Sequence, residues 1–199
     1  MHQNKKWLFA YVFILVFNFP CISQLPINQE RFDLMFQESA KGHKWVYNGI
    51  THLFSIEINE KDIKQVKYPN DISINKQLIH TAATPIRDTS QNLSKLSISR
   101  QKAMLTAYVT KKAGKLAAQQ LKKEWVTVNS KLWLLGSYYP VTKNPVRTKN
   151  KKLMVSTICF NQVLELNTTV ANEKNLNKAK ILLNQLMATL NLSNTPIDP

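Results

Sequence analysis

The chain has 199 residues, of which 44% are hydrophobic and 20% charged, a balance that excludes disorder along its whole length and suits one packed domain. Its 27 Lys and Arg against 12 Asp and Glu leave a net charge of +15, which directs attention to anionic partners. Four glycines in all leave no phosphate-cradling loop, and the sequence names no reaction or ligand.

Residues 1–23 read as a signal peptide. Lys5 and Lys6 form a positive start, Trp7–Phe19 an apolar run interrupted by Asn18, and Cys21-Ile22-Ser23 a cleavage site before Gln24. Two alternatives stand beside this: an uncleaved anchor, although a span needs about 20 apolar residues, and lipidation of Cys21, although Phe19 and Pro20 stand where a small residue is wanted. Cleavage leaves Cys159 alone, so no internal disulfide forms; the expectation for this residue is a small buried hydrophobe in a strand, against a reactive thiol. The chain then divides into an N-terminal segment over 24–43, a single domain over 44–192 and a flexible tail over 193–199.

In chain order, Leu25–Lys41, with Phe32, Leu34, Met35 and Phe36 close together, reads as a short helix leading into the domain. Lys44–Ile50 and His52–Asn59 read as two strands about an Asn48-Gly49 turn, because Phe54, Ile56 and Ile58 alternate with polar residues. Glu60–Ser97 reads as loop with one short strand over Gln77–Ala83. Ser99 caps an expected helix that runs to Lys122 on the spacing of Leu105, Tyr108, Val109, Ala113 and Leu116, with Gly114 costing about 1 kcal/mol relative to Ala. Three β segments follow, Glu124–Val128, Lys131–Tyr139 and Leu153–Leu166, the first two joined by an Asn129-Ser130 hairpin turn. Asn172 caps a closing helix with the apolar stripe Leu176, Ala179, Leu183, Leu186, Met187 and Leu190. The fold class is α+β, an antiparallel meander sheet packed against one long central helix and a C-terminal amphipathic helix.

That order resembles the PsbP-like fold over Lys44–Leu192, through the run Gly114–Val141, the run Lys151–Val170 and the closing helix. The aromatic-proline segment of such domains is represented only by Tyr68-Pro69, and nothing matches residue by residue, so no functional residue is carried over. The resemblance implies a non-enzymatic assembly or binding role for a small exported or lumenal protein.

Between Thr89 and Leu164 fourteen basic residues face a single acid, Glu124. Lys111, Lys112, Lys115, Lys122, Lys123, Lys143, Arg147, Lys149, Lys151 and Lys152 are the candidates for binding an anion or a partner. The alternative is a solvated helix face and loop. Nucleic acid is disfavoured, because no aromatic is interleaved with the Lys149–Lys152 cluster as a stacking platform. Trp125, Trp133, Tyr138 and Tyr139 make either an aromatic binding face or a second core cluster. Asn92, Asn167 and Asn191 begin glycosylation triplets, which matter only in a host that modifies exported proteins.

No catalytic, cofactor or metal site is expected. His43, His52 and His80 are too far apart for a local metal motif, and Gly136-Ser137 lies inside a strand rather than at a nucleophile elbow, which makes Gly136 a bulge or a point of close backbone approach. Glu57 and Glu165 are candidates for a cross-sheet pair but read as solvent-facing strand residues. The leading expectation is an exported binding or assembly module with a protein partner in the envelope or outside the cell and no membrane span after signal cleavage. The rivals are a cationic binder of anionic lipid, glycan or nucleic acid through residues 95–152, and an enzyme whose site draws together at least two of His43, His52, His80, Glu57, Asp62 and Glu165.

Overall fold

A computed structural model describes residues 30–59, 63, 68–86, 93–141 and 150–194. The signal segment and Asp62, Lys143, Arg147 and Lys149 fall outside them. Among the described residues ten strands, two α-helices and one 3-10 turn (Leu93–Lys95, between β5 and α1) are found, the strands and α-helices in the order β1 (Asp33–Ser39), β2 (Gly42–Asn48), β3 (His52–Ile58), β4 (Asp71–Ile74), β5 (Gln77–Pro85), α1 (Ile98–Lys115), β6 (Gln119–Val128), β7 (Lys131–Tyr139), β8 (Lys151–Cys159), β9 (Gln162–Val170), α2 (Glu173–Ala188) and β10 (Asn191–Asn194). The class is α+β, and the strands form two antiparallel sheets where the sequence suggested one. A four-stranded sheet has the order β1-β2-β3-β10 and a six-stranded sheet the order β4-β5-β9-β8-β7-β6.

The expected helix over 25–41 is a strand where it is described. Phe32, Leu34 and Phe36 alternate and pack against the core, while Met35 between them is 40% exposed. The period is therefore two, and β1 pairs along its length with β2. The region expected to be loop gains β4, joined to β5 by Asn75-Lys76, both at positive φ as a type I′ hairpin turn requires. Asn129 and Ser130 do the same between β6 and β7.

The segment expected as one strand over Leu153–Leu166 is a hairpin, β8 and β9, turned at Phe160-Asn161 with Phe160 at φ 53°. The turn moves the side chains to new faces. Ile158 and Val163 belong to one core cluster, Cys159, Leu164 and Leu166 to the other, so Ile158 and Leu164 do not share a face.

The six-stranded sheet is thus buried on both sides, and the two helices lie on opposite faces. On one face α2 and the four-stranded sheet enclose the larger core, with Trp45, Phe54, Ile56, Trp133, Leu153, Val155, Leu164, Leu183 and Met187. On the other, Leu105, Val109 and Ala113 of α1 cover Leu134, Tyr138, Met154, Ile158 and Val163. Trp133 is fully buried, which assigns it to core rather than to an exposed aromatic face. Gly136 is a point of close approach: a Cβ there would lie 2.9 Å from Val109 Cγ1.

α1 begins one residue after Ser97, earlier than expected, and ends at Lys115 rather than Lys122. Ala117, at φ 45°, turns the chain out of the helix, and the amide of Ala118 donates back to the Ala113 carbonyl at 3.1 Å. Lys122 and Lys123 are therefore strand residues. α2 follows the reading closely: Asn172 caps it, its side chain accepting from the Asn175 amide at 3.0 Å, and Ala179, Leu183, Leu186 and Met187 are buried. Ser193 and Asn194, expected to open the flexible tail over 193–199, instead pair with β3 as the end of β10.

Candidate functional site

α1 carries Arg100, Lys102, Lys111, Lys112 and Lys115 and no acid. Because Leu105, Val109 and Ala113 face the sheet, helical pitch turns Arg100 and Lys111 directly away from it, with Lys115 beside them, and all three are exposed. Lys102 holds its ammonium 5.5 Å above the Trp125 ring, and Lys123 reaches the same face from β6, its Nζ 3.4 Å from Thr110 Oγ1. Arg100, Lys111 and Lys115 share the outer surface of α1, whereas Lys102 and Lys123 lie along its β6 flank.

The remaining candidates differ. Lys122 alternates with Lys123 and points to the opposite face of β6, where it is exposed. Lys151 lies on the α2 side, its Nζ 3.5 Å from Glu173 and above the Tyr139 ring. Lys152 lies on the α1 side, where burial, and then the nearby Lys112 charge, hold its ammonium below the usual lysine range against the pull of Glu165.

Lys112 is held inward by a residue the sequence reading placed in solvent. Glu165 is 2% exposed beneath α1. Its Oε2 accepts from Tyr108 Oη at 2.8 Å and lies 3.3 Å from Lys112 Nζ, while its Oε1 accepts from Asn167 Nδ2 at 2.5 Å. Tyr108 is further tied to Thr84 at 3.1 Å. Burial, then the Glu165 charge, pushes the Tyr108 phenol upward, and the same two causes raise Tyr138 to about 12. Across the β8–β9 ladder Ser156 faces Glu165, its buried hydroxyl without a hydrogen-bond partner. The sequence does carry one signal for this centre: Glu165 interrupts an apolar strand whose neighbours Leu164 and Leu166 both belong to the core.

A second polar knot joins the sheets. Glu30 Oε1 accepts from the Thr51 amide at 2.5 Å and the His52 amide at 3.0 Å, and Oε2 lies 2.7 Å from His52 Nδ1. The Glu30 carbonyl accepts from Asn161 Nδ2 at 3.2 Å and Gln162 Nε2 at 3.4 Å. A single residue therefore holds the β2–β3 turn against the β8–β9 turn.

The described members of the set that an enzyme would have to bring together, His43, His52, His80, Glu57 and Glu165, take up separate places. His43 stacks on Phe36, His52 belongs to the Glu30 knot, and Glu57 lies on β3, across from Lys44. His80 bonds Asp71 at 2.7 Å and lines a cleft of about 350 Å³ with Lys76, Gln77, Asn167 and Thr169. Glu57 and Glu165 stand in different sheets and make no pair. His80 and Glu165 lie on neighbouring strands with Asn167 between them, but Glu165 is closed off beneath α1. Cys159 is buried in β8, and burial raises its thiol to about 12. Among the described residues no group of three or more His, Cys, Asp or Glu is placed to hold a metal, and no helix is long and apolar enough to cross a membrane.

No family model and no curated protein matches the chain. The fold is similar to that of a PsbP protein. The solved structure is the solution structure of cyanobacterial PsbP (CyanoP) from Synechocystis sp. PCC 6803, with 11% identity and a TM-score of 0.44 over 80% of this chain and 92% of that one. The weak PsbP-like resemblance noted in the order of elements is met here in three dimensions, and at this distance it carries no residue and no activity across.

Proposed function

We propose that this protein is a small exported, non-catalytic binding or assembly module that takes an anionic partner on the outer face of α1. The observation that carries the reading is the acid-free, solvent-facing row Arg100, Lys111 and Lys115, with Lys102 and Lys123 of β6 along its flank. The one acid beneath it, Glu165, is neutralised internally by Lys112. The field above the helix is therefore positive without local compensation, which raises the local concentration of anions and their rate of encounter. The export half of the reading rests on the positive and apolar pattern of residues 1–23.

The test is binding of the purified chain to immobilised poly-L-glutamate at low and high ionic strength, beside a variant carrying Arg100→Glu, Lys111→Glu and Lys115→Glu. All three positions are exposed, so the variant is expected to keep a urea midpoint near the wild-type one. Binding is expected to weaken at least tenfold in the variant and steeply with salt, as the screening length shortens to about 8 Å near physiological ionic strength. Equal binding by both proteins, or binding indifferent to salt, refutes the reading.

A further inference from the structure

The edge of the six-stranded sheet nearest this cationic face is β6, and β6 is unlike an ordinary edge. At ten residues it is the longest strand of the sheet, whereas β4 at the opposite edge has four. Edge strands are usually kept short, because their unpaired amides and carbonyls are a template for another strand. Among the described residues β6 pairs with β7 alone. Its start is spoiled for pairing by the register shift between Gln119 and Lys122 and by Gln120 at φ 54°, but Lys122–Val128 runs in unbroken register.

The register also fixes which groups face outward. Val128 pairs with Lys131 across the two-residue turn, so Val128, Val126, Glu124 and Lys122 exchange hydrogen bonds with β7 in the alternation of an antiparallel ladder. The amides and carbonyls of Lys123, Trp125 and Thr127 then point away from the sheet. Lysines stand on both faces of this row, Lys122 on one and Lys123 on the other, with Glu124 the single acid.

We infer that β6 receives an extended acidic polypeptide segment as a seventh strand, its successive carboxylates meeting Lys123 and Lys102 on the α1 side and Lys122 on the other. The proposal rests on the cationic-face reading and deepens it by naming the partner as a polypeptide rather than a lipid surface. Main-chain pairing supplies affinity in strand addition and the side chains beside it supply selection. Residues directly opposed across an antiparallel pair bring their Cβ atoms to about 5 Å, close enough for Glu or Asp to pair with these lysines. The same lysines disfavour a second copy of this chain, which would bring another lysine-bearing edge and a further charge of +15.

The test uses a peptide of about ten residues in which Glu-Glu pairs alternate with Val-Thr pairs, so that carboxylates stand on both faces of an extended strand of suitable length, and follows amide exchange in the whole domain. Saturating peptide is expected to slow exchange at Lys123, Trp125 and Thr127 at least tenfold. Thr127→Pro removes one outward donor without touching a charge or the β7 ladder, a place where an edge strand tolerates proline. It is expected to weaken the peptide at least tenfold while leaving poly-L-glutamate binding and the urea midpoint near wild type. If no β6 amide gains protection, strand addition is overturned, and the cationic face stands or falls separately on the Arg100, Lys111 and Lys115 reversal. Tight binding to phosphatidylglycerol vesicles, with the peptide no better than poly-L-glutamate, overturns the proposal in favour of a surface. Self-association through β6 without peptide overturns it in favour of a second copy.

Discussion

Lys112→Met breaks the ion pair beneath α1 while keeping the aliphatic stem that packs beside Tyr108. The Lys112 side chain is 40% exposed and that of Glu165 3%. Removing one partner of a fully buried pair costs about 3–5 kcal/mol, whereas an exposed pair contributes about 0–1 kcal/mol. Lys112 lies between these limits, and Tyr108 and Asn167 still donate to the carboxylate, so the expected loss is about 2 kcal/mol. With a urea slope of about 2 kcal/mol per molar for a domain of this size, the midpoint falls by about 1 M, read by the fluorescence of the buried Trp133 and its neighbours. Adding Glu165→Gln removes the uncompensated charge and is expected to restore about half of the loss, which makes the double mutant more stable than Lys112→Met alone. Burial acts to lower the Lys112 pKa, but the Glu165 charge outweighs it and the net shift is upward from 10.5. The contribution is therefore complete below the ordinary lysine value and fades as pH rises through the higher folded one, so wild type and Lys112→Met converge in strongly alkaline solution. Strict additivity of the two substitutions, or a loss under about 0.5 kcal/mol, refutes the assignment of Glu165 as a buried charge held by Lys112.

Glu30→Gln tests the knot between the sheets. Burial works to raise the Glu30 pKa, but the hydrogen bonds from Thr51 and His52 prevail and hold it below its ordinary 4.5. Its stabilisation is present above that ordinary value and disappears as pH falls through the folded one. The variant should therefore be about 2 kcal/mol less stable than wild type near pH 7 and equal to it in acid, in urea titrations across that range. A gap that persists unchanged at pH 2 contradicts the charge-based account. Gly136→Ala forces a methyl group against Val109 and is expected to cost about 1–3 kcal/mol, with Val109→Ala returning part of that loss in the double mutant. Independent, additive losses argue against the contact.

The most legible elements were those with a local physical signal. Asn129-Ser130 tolerates the left-handed backbone of a two-residue hairpin, and Asn172 announces α2 because its side chain can take an amide of the first turn. β1 was misread because Met35 sits among Phe32, Leu34 and Phe36 and hides their alternation. The β8–β9 turn was invisible because Phe160, a bulky residue, takes the left-handed conformation there instead of a glycine. α1 was drawn too long because Lys122 and Lys123 form helix readily and Ala117, not Gly114, makes the exit. The cationic candidates were found by charge alone, but which of them face outward was not in the charges. Lys112 and Lys151 are drawn to acids, and Lys152 is half-buried, because Glu165 and Glu173 meet them only through tertiary packing.

The pairing of β10 with β3 has a consequence for the order in which the chain can assemble. Leu192 lies across from Phe54, so the first sheet is completed by the strand that follows all the other described elements. Contacts so distant along the chain are slow to form, since a long loop must close before they return any stabilisation. Until Asn191–Asn194 are in place, β3 offers a bare edge beside the larger core. Such a molecule reaches its native state late and as a unit. The four-stranded sheet stays open at β3 for as long as β10 is withheld.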